Sequence, residues 1–329
     1  MGFAPRLERP RVELKRREFL ATVAAGSACV GNLQGSSTGQ IAHQTQVGQP
    51  VLTPHLDMFP DSAGQSFSQQ IACLHARGFR AIDDSRLASR DVESQAEIGQ
   101  AARQHGMHVG QFAGCVSFGE PLFASGRADD WRKVLAELNQ ALQVAQRTGA
   151  RYCTVVPGLA ESTTSRKRQF RNARLLLAEC SQLFATTGVT LLLESCRHPS
   201  PQRRMLFEDV HTACRMCQSL STPTCRVMLD TCCHRLQPIY DLLASPLARC
   251  VGYIQLGDFP GRKEPGTGRI DFQQLLSKIN NSGFAGPLAM DHGCSLPGQL
   301  GEQRVLAAYR RLQAGQRAKS GSRQQPTSI

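Results

Sequence analysis

The sequence has no long hydrophobic run. Nowhere do about 18 apolar residues follow one another, which excludes an ordinary membrane-spanning helix. It is poor in aromatic residues, at 6% with one tryptophan. That leaves little for the stacking platforms that single-stranded nucleic acids need. A concentrated positive patch is also lacking, although the net charge is +12. Residues 1–18 contribute +3 and residues 310–329 contribute +5, so the long middle carries only +4. Solvated basic ends account for the excess, and nucleic acid is not an expected partner. Cysteine, by contrast, is abundant at 13, yet it is scattered from Cys29 to Cys294 without the pattern of a small disulfide framework. Cys214-x-x-Cys217 has no second pair at zinc-ribbon distance and reads as two thiols on a helix.

The ends differ in character from the middle. In ELKRREFLATVAAGSACVG, Arg16 and Arg17 stand before Phe19-Leu20 and a short run of small residues. The stretch resembles a twin-arginine export signal; export by that route is the expected localisation if the signal is used, and the cytoplasm otherwise. Residues 30–50 are rich in Gly, Ser and Gln and read as a linker. The expected organisation is a signal and polar linker over residues 1–45, one domain over 46–315, and a disordered basic tail over 316–329.

Within the domain, apolar runs of strand length alternate with segments of helical period. Eight runs qualify: Val51–Phe59, Phe79–Asp84, Met107–Ala113, Arg151–Val156, Val189–Glu194, Arg226–Asp230, Val251–Leu256 and Pro287–Asp291. Continuous apolar runs suit parallel strands buried on both faces. Trp131, Val134, Leu135, Leu138, Leu142 and Ala145 recur at helical spacing, with Asp129 or Asp130 as the expected cap and Gly149 as the stop. Asp271 is expected to cap a later helix bearing Leu275, Leu276 and Ile279. Eight β/α units in about 270 residues predict an α/β fold, a single-domain (β/α)8 or TIM barrel. A doubly wound open sheet would carry a Gly-rich phosphate turn after its first strand, and DMFPDSAGQ is not one.

In such a barrel the carboxyl ends of the strands face the active site. They offer His55 and Asp57, Asp83 or Asp84, Glu194, Asp230, Gln255 and Asp258, and Asp291 beside His292. One acid there is commonplace, because it caps the next helix. The last four strands, however, end in three carboxylates and an amide; such a series is electrostatically costly, and a divalent cation is the usual remedy. All-oxygen ligation favours Mg²⁺ or Mn²⁺. With such an ion, flanking carboxylates can move a proton between neighbouring carbons, the chemistry of ketose–aldose isomerases and sugar epimerases. A small molecule is the expected partner, and the oligomeric state is left open.

Residues Ile254–Asp271, IQLGDFPGRKEPGTGRID, contain the pattern P-x-R-x-E-P-G-T-G-x-I. With GVTLLLES, CRVMLDTCCH and GFAGPLAMDHG, this resembles the hydroxypyruvate isomerase family of xylose-isomerase-like barrels. The resemblance implies Glu194 and Asp291 as the acid/base pair and Glu194, Asp230, Gln255 and Asp291 as metal ligands. It places Arg262 on the substrate; His55, at the end of the first strand, and His234, one residue past the family's histidine position, are the other expected substrate contacts. Three positions depart from the family pattern. Asp291 stands where the family has Glu, Cys233 where it has His, and Arg197 where it has Asn. Two alternatives remain: an exported binding barrel without turnover, and a hydrolase related to apurinic-site endonucleases.

Overall fold

The structure, a computed structural model, describes residues 50–321, with side chains described to Leu312. The export-signal reading and almost all of the linker fall outside the described residues, as do residues 322–329.

All eight expected strands form: β1 (Val51–Pro54), β2 (Ala81–Ile82), β3 (His108–Ser117), β4 (Ala150–Pro157), β5 (Thr190–Glu194), β6 (Cys225–Asp230), β7 (Val251–Leu256) and β8 (Pro287–Met290). Each is followed by a helix: α1 (Phe67–Ala76), α2 (Val92–Gln104), α3 (Ala128–Thr148), α4 (Arg166–Phe184), α5 (Val210–Ser219), α6 (Leu236–Leu243), α7 (Phe272–Asn281) and α8 (Gly298–Gly321). A further single turn, Pro60–Ala63, precedes α1.

The strands pair in parallel in the order β1-β8-β7-β6-β5-β4-β3-β2. A parallel bridge between His55 and Asp83 closes the circle. There the Asp83 amide donates to Pro54 O and the Leu56 amide to Asp83 O, each at 2.8 Å. The protein is therefore the (β/α)8 barrel that the eight runs predict. β1 and β2 are shorter than their apolar runs. Pro54 has no N–H to continue a ladder, and Asp57 takes a left-handed φ of 65° that leaves the strand.

Sequence signals explain most helix ends. Asp271 caps α7 by accepting from the Gln274 amide at 3.0 Å, and Ser66 with Gln69 forms a capping box on α1. Gly149 ends α3 in the left-handed region. At the start of α3 the structure corrects the sequence reading. Arg127 is the capping position, and Asp129 and Asp130 lie in the first turn, where they meet the positive end of the helix dipole. α8 runs on to Gly321, past the expected domain end at residue 315.

The main core lies between strands and helices. A smaller layer inside the barrel joins Leu192, Met228, Tyr253 and Ala289, with Tyr152 packed edge-on against Tyr253 at 4.9 Å between ring centroids. Cys214 and Cys217 are buried core thiols on α5. Among the described residues no helix is long and apolar enough to cross a membrane.

Candidate active site at the carboxyl ends of the strands

The strand-end acids do not form one cluster. Asp57 and Asp84 are neutralised by arginines. Arg90 bonds to both, at 2.9 Å from Asp57, and Arg86 also reaches Asp57. These two acids brace the rim next to β1 and β2.

Asp258 serves the chain itself. It is fully buried. Its Oδ2 accepts the amides of Gly266, Thr267 and Gly268 at 2.9, 3.0 and 2.8 Å, and its Oδ1 accepts Ile270 N–H at 3.0 Å. The turn residues of the β7–α7 loop are thus wound around one carboxylate. Gly268 is required for this approach: a Cβ there would lie 2.5 Å from Asp258 Oδ1 and 2.4 Å from Phe259 O. Glu264, also fully buried, ties the loop to the chain beyond β8. It accepts the Ser295 amide at 2.8 Å and Arg304 of α8 at 3.2 Å. Nearby, His292 stacks on Tyr309 of α8, with Nε2 2.7 Å from the Tyr309 hydroxyl.

That loop presents Arg262 at a φ of 51°. A left-handed non-glycine residue costs roughly 1–2 kcal/mol, and such strain gathers at functional sites. The Arg262 guanidinium donates to Asp230 at 2.7 Å and, more closely, to Asp291. Burial opposes its charge, but Asp230 and Asp291 together raise its pKa further.

Asp230 ends β6 and is 2% exposed. Its Oδ1 accepts the Cys232 amide at 2.7 Å, and the Cys233 thiol lies 3.1 Å from Oδ2. Glu194, at the end of β5, brings a carboxylate oxygen near both. Ligand atoms of Glu194, Asp230 and Cys233 all lie within 4.8 Å of one another. Gln255 pairs with Asp230 in the β6–β7 register and is buried beside it.

The structure thus brings Glu194, Asp230 and Gln255 to one corner, and joins Asp291 to it through Arg262. The donors that lie close together differ from the expected ligand set in two respects. Asp291 stands apart from the close cluster, and a sulfur that sequence reading missed stands inside it. The signal was the Asp-x-x-Cys spacing, since the turn after β6 folds the third residue back over the aspartate.

The two expected substrate-side histidines are both engaged by the protein. His55 accepts the Ser85 amide on Nε2 at 3.2 Å, which leaves Nδ1 to donate to Leu56 O at 3.4 Å. His234 Nε2 lies 3.1 Å from Ser195 Oγ and 3.0 Å from Ser195 O. Burial, partly offset by the Ser195 carbonyl and nearby acids, lowers its pKa from the ordinary 6.5 and favours the neutral ring. Arg197 is exposed just beyond β5.

Asp83 is a separate case. It is fully buried, and its Oδ1 accepts the Tyr253 hydroxyl and, at 3.1 Å, the Gln111 amide. Its Oδ2 has no partner. Gly110 leaves it room, because a Cβ there would lie 2.0 Å from Oδ1. Burial above all pushes this carboxyl well above its ordinary 3.8. A raised pKa stabilises the fold fully below the unfolded value, and that contribution is lost as pH rises toward the folded one. Asp83→Asn, a neutral isostere that still accepts from Tyr253, is therefore expected to melt a few degrees higher than wild type near pH 8. The gap should close toward pH 4. Melting curves across that range check this, and a variant that melts lower at pH 8 contradicts it.

Comparison with known proteins agrees with this architecture. The family model for the xylose isomerase-like TIM barrel matches residues 71–311. The chain belongs to that family. A 2-oxo-tetronate isomerase of Cupriavidus necator is 25% identical over 236 residues, covering 69% of this chain and 87% of that protein. Among solved structures, 3-keto-D-glucoside 4-epimerase from E. coli superposes with a TM-score of 0.64 at 15% identity, over 81% of this chain and 100% of that one. The IOLI protein, solved with a zinc atom, superposes with a TM-score of 0.60 at 14% identity, over 80% of this chain and 96% of that one.

Proposed function

We propose that the protein is an isomerase of a small hydroxy-carbonyl acid, hydroxypyruvate or a related 2-oxo sugar acid. One observation carries this reading: Arg262 spans Asp230 and Asp291 at the strand ends, directly beside Glu194. The arrangement puts a cation suited to a carboxylate next to carboxylates suited to proton transfer. The 2-oxo-tetronate isomerase relative supports the same substrate class.

The donor set fits a divalent cation. Glu194 and Asp230 would hold it, with Gln255 adjacent. When bound, the ion supplies positive charge that polarises the substrate carbonyl. Glu194 takes the proton from the carbon beside the carbonyl. Asp291, one methylene shorter than the family's Glu, delivers a proton of its own at the neighbouring carbon while the hydroxyl proton passes to the former carbonyl oxygen, so Glu194 ends protonated and Asp291 ionised; Arg262 turns from Asp291 to hold the substrate's carboxylate or a hydroxyl.

Proton NMR in D₂O tests the proposal, with full-length protein, a divalent cation, hydroxypyruvate and four-carbon 2-oxo acids. Deuterium should enter the carbon next to the carbonyl. If no candidate exchanges while one still raises Tm, the reading fails and a binding barrel replaces it.

A further inference from the structure

We propose that Cys233 is a ligand to the site's cation, and that the site therefore selects a thiophilic ion of the zinc class over Mg²⁺. The ion would sit where the isomerase reading places it, but ligation by sulfur stands on its own chemistry.

The Cys233 sulfur lies 3.1 Å from Asp230 Oδ2, and it joins oxygens of Glu194 and Asp230 within 4.8 Å. Zinc takes sulfur at about 2.3 Å and carboxylate oxygen at about 2.0–2.2 Å. Neighbouring ligands of a tetrahedral ion therefore stand roughly 3.5 Å apart, within the 4.8 Å that spans the donor atoms here. The backbone directs the sulfur inward. Cys233 N–H donates to Asp230 O at 3.3 Å and Cys232 N–H to Asp230 Oδ1 at 2.7 Å, so the turn wraps the aspartate. Mg²⁺ demands oxygen donors, whereas thiolate favours zinc.

Arg262 holds the position of a stand-in cation, donating to Asp230 Oδ2. Its side chain is 39% exposed. It can leave Asp230 to an ion and remain on Asp291. The other close sulfur pair, Cys217 and Cys225 at 3.6 Å, is buried in the core. Among the described residues no third donor completes it.

Co²⁺ titration of the metal-free full-length protein tests the proposal. A near-ultraviolet thiolate-to-cobalt charge-transfer band is expected in wild type and in Cys232→Ser, and its loss is expected in Cys233→Ser. The Zn²⁺ dissociation constant of Cys233→Ser should rise by more than about 100-fold, because losing a mere second-sphere partner costs roughly 10–100-fold. A cobalt-bound wild type without the band, or a band that persists in Cys233→Ser, overturns the proposal. Should Cys233→Ser not fold, Glu194→Gln decides: an altered wild-type band ties the sulfur to this site, and an unaltered one removes it. The two readings fail separately. A band without deuterium exchange keeps the ion and removes the isomerase. Exchange supported equally by Mg²⁺ in Cys233→Ser keeps the isomerase and removes the sulfur ligand.

Discussion

Glu194→Gln is expected to reduce deuterium exchange into the substrate by about 10²–10⁴-fold, the range that a positioned acid or base contributes. The amide preserves the shape of the side chain but cannot accept the transferred proton. It also donates where the cation would need a charged ligand, so affinity for the divalent ion should fall as well. Tm should stay near that of wild type, because Glu194 is only half-buried at the barrel mouth. The measurement is NMR exchange beside a melting curve. Exchange that persists at the wild-type rate would remove Glu194 from the proton path.

The largest stability loss is expected from Asp258→Ala. Four backbone amides converge on this carboxylate. Each hydrogen bond to a charged group contributes about 1.5–3 kcal/mol, and a buried donor left unpaired carries its own penalty. Water entering the space offsets part of this, so a net loss of about 3–5 kcal/mol is expected. At about 2–4 °C per kcal/mol for larger domains, Tm should fall by about 10 °C. Activity should fall further than stability accounts for, because Arg262 rides on the same loop. Asp258→Asn keeps one acceptor oxygen and should lie between. Equal melting of Asp258→Ala and wild type would show the loop to be held by something else.

The barrel was legible because its strands are buried on both faces, so each reads as an unbroken apolar run bounded by turn residues. The Val251–Leu256 run matches β7 residue for residue. Strand ends also located Glu194, Asp230 and Gln255 at one corner. What position could not supply was the direction of each side chain. Asp258 reads as one more oxygen facing the substrate, yet it faces inward to backbone amides. A hint lay in Gly266-Thr267-Gly268, small residues whose N–H groups need an acceptor once the loop is packed. Asp57 and Asp84 read as side chains facing the active site from the first two strands, but Arg86 and Arg90, far from the motif, neutralise them. Asp83 faces the barrel interior, where Tyr253 rather than a ligand meets it. Cys233 read as a missing histidine instead of a present donor.

The clamp between the rim loop and α8 has a consequence for the order of assembly. Glu264 is held by Arg304, and His292 by Tyr309. During synthesis the β7 loop emerges before Arg304 and Tyr309 exist, so Glu264 and His292 cannot make these contacts until α8 has been added. These rim contacts therefore depend on the last helix of the chain, while the Asp258 turn of the same loop does not. A chain clipped before Arg304 would keep all eight strands while Glu264 loses Arg304 and His292 loses Tyr309, so the rim is expected to loosen while the barrel wall keeps its pairing.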